Sequence, residues 1–209
     1  MSKHRGWHDR HHLPHLDAAG LLQHVVFRLH GSLPASVMSD CAKGQSPDLR
    51  RTAIEEALDQ GAGPTWLSDP TCAQAAADAL NSFDGSRYEL IAWCVMPNHV
   101  HVLMRQAEGW PLAAVVKSWK SFSARVINRA LDRSGPLWAA DYFDRYVRSD
   151  EQAVTTIAYI ENNPVKAGLC VSPADWPWSS ASLERGRPRP RTSYAVDADL
   201  EVRAPFSEY

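Results

Sequence analysis

No run of apolar residues in this chain approaches the roughly 20 needed to span a bilayer as a helix. That excludes an integral membrane helix. Paired cysteines are missing too: Cys41, Cys72, Cys94 and Cys170 are scattered, which argues against a cysteine-rich zinc site or a redox dithiol. There is no glycine-rich phosphate loop. The opening MSKHRGWHDRHHLPHLD is basic without an apolar segment behind it, so a secretory signal is not expected and a cytoplasmic location is. Charge of one sign is also lacking, the formal net charge being −2. The chain as a whole therefore carries no electrostatic mark of a nucleic-acid binder.

What is present is the composition of a globular domain: 209 residues, 44% hydrophobic and 22% charged, enough for one core. The charge is uneven. From Lys117 to Arg148 the chain carries Lys117, Lys120, Arg125, Arg129, Arg133, Arg145 and Arg148 against Asp132, Asp141 and Asp144, so one basic face is compatible with the neutral total. A solvated helix face of mixed charge explains the same pattern. Five of the nine histidines fall in the first sixteen residues, which show no apolar periodicity. We expect a flexible arm over 1–18, a single domain over 19–180 and a loose tail over 181–209, where RGRPRPR alternates charge with proline.

Within the domain, LLQHVVFRLHG (21–31) reads as a buried strand. Two helices are expected between Ser46 and Ser82, parted by Gly61, Gly63 and Pro64, with Ser46 or Asp69 as caps and both packed on one sheet face. RYELIAWCVMP (87–97) and HVHVLMRQ (99–106) read as a hairpin about Pro97-Asn98. An amphipathic helix follows over 111–133, then a short strand within 138–149. A helix opened by Ser149 or Asp150 should end before Pro164. Irregular alternation of strands and helices predicts an α+β fold, an antiparallel sheet under helices.

His99-Val100-His101 puts two imidazoles on one face of a strand. Two nitrogens side by side can hold a divalent cation, although hydrogen-bonded histidines on a half-buried strand have the same pattern. On a helix, Tyr159 and Asn163 share a face one turn apart, so a phenol and an amide oxygen can converge, and Asn163 can serve as a third ligand. Such a set suits Mg²⁺ or Mn²⁺ with sites left for phosphate oxygens. A tyrosine ester of a 5′ phosphate conserves the bond's energy, so a freed 3′ hydroxyl can reverse the cut without an external energy source. An ordinary helix tyrosine and a C-cap before proline are the alternative reading.

The strings CVMPNHVHVLM (94–104), YFDRYVRS (142–149), YIENNPVKAGL (159–169) and DWPWSS (175–180), with VVFRLHGSLP (25–34), resemble the Y1 HUH transposases of the IS200/IS605 type. More closely, they resemble the REP-associated tyrosine transposases. The resemblance implies a ferredoxin-like core, the HUH endonuclease fold, with a divalent metal, Mg²⁺ or Mn²⁺. It also implies single-stranded DNA hairpins, REP-like palindromes, as partner and a transient 5′-phosphotyrosine. By position His99 and His101 are the metal-binding pair and Tyr159 the nucleophile, with Tyr142 and Tyr146 as rivals. Asn163 stands where the insertion-sequence branch has a metal-binding glutamine. Lys117, Lys120, Arg125, Arg145, Arg148 and Lys166 are expected at phosphates, and Trp119 or Trp138 under bases. A monomer or a homodimer fits. A mobile insertion-sequence transposase and a non-cleaving hairpin binder are the alternative functions.

Overall fold

The computed structural model describes residues 6–10, 13–33 and 47–183. The elements are β1 (Gly6–Arg10), β2 (Leu13–Asp17), β3 (Leu22–Arg28), α1 (Pro47–Asp59), α2 (Pro70–Asn81), β4 (Tyr88–Val95), β5 (His99–Gln106), α3 (Leu112–Ala130), β6 (Phe143–Tyr146), α4 (Asp150–Lys166) and the short α5 (Ser180–Leu183). Four strands form an antiparallel sheet in the order β4-β5-β3-β6. This is the βαββαβ order of a ferredoxin-like core, as expected.

Side chains alternate across a strand, so the sheet has two distinct faces. On one, Val25, Phe27, Trp93, Val95, Val100, Val102 and Met104 pack against α2 and α3. A bulge between Leu90 and Ala92 shifts the phase of β4, which keeps Leu90 and Trp93 in that one core. Helix α2 buries Ala73, Ala75, Ala76, Ala77 and Ala79, small residues that permit close approach. Helix α3 buries Val115, Trp119 and Ile127 but leaves Phe122 and Val126 exposed. Trp119 donates to the Tyr88 hydroxyl (2.8 Å), which donates to the Leu80 carbonyl (2.6 Å), so the polar atoms of this layer are satisfied.

The opposite face carries Leu22, Ala92, Cys94 and Leu103 under α4 and Val26 and Phe143 under Ile54 and Leu58 of α1. The two helices expected to share a face are thus divided, α2 on the apolar side and α1 on the other. Each helix signal is local, whereas the choice of face depends on contacts made after Gly63. At Gly63 (φ +77) a Cβ would collide with the Gly31 carbonyl, so a glycine is required where the α1–α2 connection crosses the end of β3.

Helix α2 is capped by Asp69, which accepts from the amides of Thr71 (2.8 Å) and Cys72 (3.2 Å). Ser46, the other cap candidate, lies outside the described residues. Helix α4 starts on Ser149, which accepts from the Gln152 amide. It does not end before Pro164: it runs on to Lys166 and stops at Gly168 (φ +70). A proline this close to the terminus removes one interior hydrogen bond, and the left-handed glycine is the stronger stop. Asn163 is therefore a helix-interior residue rather than a cap.

Where the sequence suggested an arm over 1–18, β1 and β2 pair as an antiparallel hairpin. Asp17 accepts from the Leu112 amide (3.1 Å) and from Gln106 (2.6 Å), capping α3, which has no side-chain cap of its own. His15 pairs with Asp144 on β6. These partners lie far away in sequence, and no local pattern announces them. Of the tail expected over 181–209, only 181–183 are among the described residues. No helix among the described residues is long and apolar enough to cross a membrane.

Candidate active site

Strand alternation puts His99 and His101 on the α1/α4 side of the sheet, and the cross-strand register sets Val26 opposite His101 and Arg28 opposite His99. Both imidazoles are fully buried. Their Nε2 atoms face each other at 2.8 Å. The Asn98 amide fixes the tautomer: its Nδ2 donates to the carbonyls of Leu58 (3.1 Å) and Ala62 (3.3 Å). Its Oδ1 must then accept from His99 Nδ1 (2.6 Å). With the proton on Nδ1, His99 presents a bare Nε2 toward His101.

On the other side of His101, His24 of β3 approaches Nδ1 with its Nε2 at 3.1 Å. A proton on His101 Nδ1, donated to His24, frees the second Nε2 as well. Burial first, then the neighbouring His101 and His24, holds His99 well below the ordinary histidine range. Burial, then Lys166, lowers His101 to about 3. Both rings are therefore neutral at physiological pH, the form that ligates metals.

Asp59, the last residue of α1, completes the cluster. One ligand atom each from Asp59, His99 and His101 falls within 4.8 Å of the others, with Asp59 Oδ1 3.7 Å from His99 Nε2. Asp59 Oδ2 also pairs with the Lys166 ammonium of α4 at 2.8 Å. Two bare nitrogens and a carboxylate suit a hard or borderline divalent ion. Asn163 donates through Nδ2 to the Tyr159 carbonyl (3.1 Å), and its buried Oδ1 has no hydrogen-bond partner. The donor set of Asp59, His99 and His101 fits a divalent cation.

Tyr159 lies against this cluster, its ring 5.7 Å from that of His101 and 6.0 Å from that of His24. Its hydroxyl donates to Glu55 Oε2 of α1 at 3.1 Å. Burial and then the negative charges of Glu55 and Asp59 push the phenol above its ordinary range. The rivals are elsewhere. Tyr142 is packed in the α2/α3 core, and Tyr146 pairs with Gln23, which sets it on that same side of the sheet.

The expected phosphate contacts divide in the same way. Arg145 pairs with His24 on the histidine face and is exposed, and Lys166 reaches the cluster itself. Lys117 and Arg125 are exposed on α3, across the sheet. The Lys120 ammonium is held by the carbonyls of Ala139 (3.0 Å), Ala140 (3.3 Å) and Asp141 (2.9 Å), a structural role that closes the turn before β6. Arg148 stacks over Tyr146 at 4.6 Å. Trp119 and Trp138 are buried core residues and are not open to bases.

Four residues at the site were not singled out from sequence. Asn98 sat unnoticed in the turn beside the histidines. His24 is in phase with Val26 on β3, but only the β3–β5 register places it beside His101. Glu55 and Asp59 are one turn apart on a helix rich in acidic residues and carry no local mark.

Residues 71–163 match the family "Transposase IS200 like", a span that holds His99, His101, Tyr159 and Asn163 and leaves out β3 and α1. A protein of Haemophilus influenzae described as a "Putative REP-associated tyrosine transposase" is 29% identical over 103 residues, 44% of this chain and 58% of that protein. The chain thus spans little more than half of that relative's length. The solved structure of a REP-associated tyrosine transposase bound to a REP hairpin superposes with a TM-score of 0.55 at 16% identity, covering 100% of both chains, a likeness of fold. The motifs and these comparisons agree: residues 71–163 are similar to the IS200-like transposases, and the chain is similar to the REP-associated tyrosine transposase of Haemophilus influenzae.

Proposed function

We propose that this protein is a metal-dependent endonuclease and strand transferase that cuts and rejoins single-stranded hairpin DNA through a 5′-phosphotyrosine on Tyr159. The observation that carries the reading is the convergence of His99, His101 and Asp59 within 4.8 Å beside the Tyr159 ring, 5.7 Å from His101. A buried pair of neutral imidazoles with a carboxylate is a costly arrangement for packing alone, and a phenol beside it supplies the nucleophile. REP-like palindromes are the substrate class by analogy with the hairpin in the related solved structure.

His99, His101 and Asp59, with Asn163 Oδ1, would hold Mg²⁺ or Mn²⁺, which supplies Lewis-acid neutralisation of charge at a phosphate. The chain's own residues do the rest. Asn98 and His24 keep both ring Nε2 atoms available by occupying the other nitrogens. Helix α4 presents Tyr159 for in-line attack and Lys166 as a cation for the flanking phosphates, and β6 adds Arg145 on the same face.

The test is incubation of the protein and Mn²⁺ with a 5′-labelled oligonucleotide carrying an imperfect palindrome from the DNA flanking the gene. A covalent protein-DNA adduct and a shortened labelled product are expected, and Tyr159→Phe should bind the hairpin without forming the adduct. An adduct that survives in Tyr159→Phe and disappears in Tyr142→Phe or Tyr146→Phe would assign the nucleophile elsewhere. Binding without cleavage by the native protein would favour the hairpin-binding alternative.

A further inference from the structure

Resting on that reading, we infer that Glu55 is the general base that removes the Tyr159 proton during attack and returns it when the strand is rejoined. Among the described residues, the acceptor of the Tyr159 hydroxyl proton is Glu55 Oε2, at 3.1 Å, a distance for direct transfer. Glu55 and Asp59 are four residues apart on α1, so they project from one side of the helix. That side meets α4 twice: Glu55 at Tyr159 and Asp59 at Lys166. One helix thus delivers a carboxylate to the nucleophile and, one turn later, a carboxylate to the histidine pair.

The chemistry requires such a group. The phenol must lose its proton to act as a nucleophile, and its hydroxyl already donates to the Glu55 carboxylate at 3.1 Å. Proton removal must accompany attack. As the Tyr159 oxygen bonds to phosphorus, the bond from phosphorus to the 3′ oxygen breaks and the phenol proton passes to the Glu55 carboxylate. The departing 3′ oxygen takes a proton from water, and Glu55 later releases its own to solvent. Rejoining runs the same steps backward: Glu55 takes a proton from solvent, the 3′ hydroxyl loses its proton to water, its oxygen attacks phosphorus, and Glu55 protonates the leaving phenolate. The carboxylates of α1 lie outside the span that matches the transposase family, residues 71–163.

The experiment compares native protein, Glu55→Gln, Glu55→Asp and Tyr159→Phe on the same flanking-palindrome oligonucleotide with Mn²⁺, reading adduct formation against pH and hairpin binding by gel shift. Glutamine keeps the shape and can still accept the phenol's hydrogen bond, but it takes no proton. Glu55→Gln should bind the hairpin as the native protein does and form adduct about 10²–10⁴-fold more slowly. Its rate should rise with pH where the native rate is level, because hydroxide must do the base's work. Glu55→Asp should recover part of the rate and the level profile.

A Glu55→Gln rate within about threefold of native and an unchanged profile, alongside a dead Tyr159→Phe, would overturn the base and leave the function standing. A Glu55→Asp variant no faster than Glu55→Gln would also count against it, as would loss of hairpin binding in proportion to rate. An adduct from Tyr159→Phe, or none from the native protein, would overturn the underlying function instead. If Glu55→Gln melts far below the native protein, the Glu55→Asp rate and profile decide the matter.

Discussion

On one face of the sheet, β3, β4 and β5 turn Val25, Phe27, Trp93, Val95, Val100 and Met104 toward α2 and α3. On the other, the same strands turn His24, His99 and His101 toward α1 and α4. Each strand therefore contributes to both, and within β3 and β5 what separates them is only the parity of the residue number. The apolar side fills its volume with side chains that need no partners. The histidine side is buried just as deeply yet relies on chains of hydrogen bonds, from Leu58 and Ala62 through Asn98 to His99, and from His24 to His101. Stability should thus depend chiefly on the first face and chemistry on the second.

The sharpest way to break this division is His101→Ala. It should abolish Mn²⁺-dependent cleavage, a loss of at least about 10³-fold, since a ligand and the anchor of the Tyr159 ring go together. Stability should change far less than activity, measured by thermal unfolding of the same sample. Undiminished cleavage would remove the metal from the mechanism. The converse is Trp119→Ala on the other face. Loss of that buried ring should cost about 3–5 kcal/mol of stability while the adduct formed per folded molecule stays near native. A comparable fall in Mn²⁺ affinity would show that the two faces are not separable.

Asn98→Ala probes the contact between them at a smaller scale. It removes the acceptor that keeps the proton on His99 Nδ1 and the donor that reaches Leu58 and Ala62 of the α1 connection. Second-sphere partners of this type are worth about 10–100-fold in metal affinity, readable by calorimetric titration with Mn²⁺. Asn98→Asp keeps an acceptor for His99 but places a carboxylate against two carbonyls, so it should weaken the docking of α1 more than it changes the tautomer. Equal Mn²⁺ affinity in native protein and Asn98→Ala would mean that His99 does not need its orienting amide.

The parts of this arrangement legible in sequence are those that local pattern decides. Alternation placed His99 and His101 together, the 3.6-residue period placed Tyr159 beside Asn163, and Asp69 and Ser149 marked where helices begin. The hairpin about Pro97-Asn98 was readable for the same reason. Hidden were the features set by register and by face. His24 reaches His101 only because β3 pairs antiparallel with β5 in one phase, and a slip by one residue would turn it to the other side. Helices α1 and α2 carry equally good helix signals, yet α2 buries all five of its alanines, whereas α1 buries Ile54 and Leu58 and covers Ala53 and Ala57 only partly, so only one of them could leave acidic side chains at a site. Family resemblance supplied what pattern could not, the link between the histidines and a distant tyrosine, but it was silent about α1.

The smallest expected effect concerns acid. In the metal-free protein, burial keeps His99 well below the ordinary histidine value and His101 down at about 3, whereas in the unfolded chain both titrate near about 6.5. Below about 6.5 the unfolded state binds protons that the folded state refuses, so stability is full above that value and declines as the pH falls toward about 3. The slope reaches about 1.4 kcal/mol per pH unit for each such histidine. Melting the metal-free protein at about pH 7 and about pH 5 should show the fall, and His101→Gln, which cannot titrate, should lessen it. Saturating Mn²⁺ should raise stability at both pH values and leave the fall between them unchanged, because the folded imidazoles are neutral throughout that window with or without the cation. A metal-free slope that is the same in His101→Gln would mean that the imidazole on this face takes up a proton without unfolding, and that the histidine face is open to water in a way the apolar face is not.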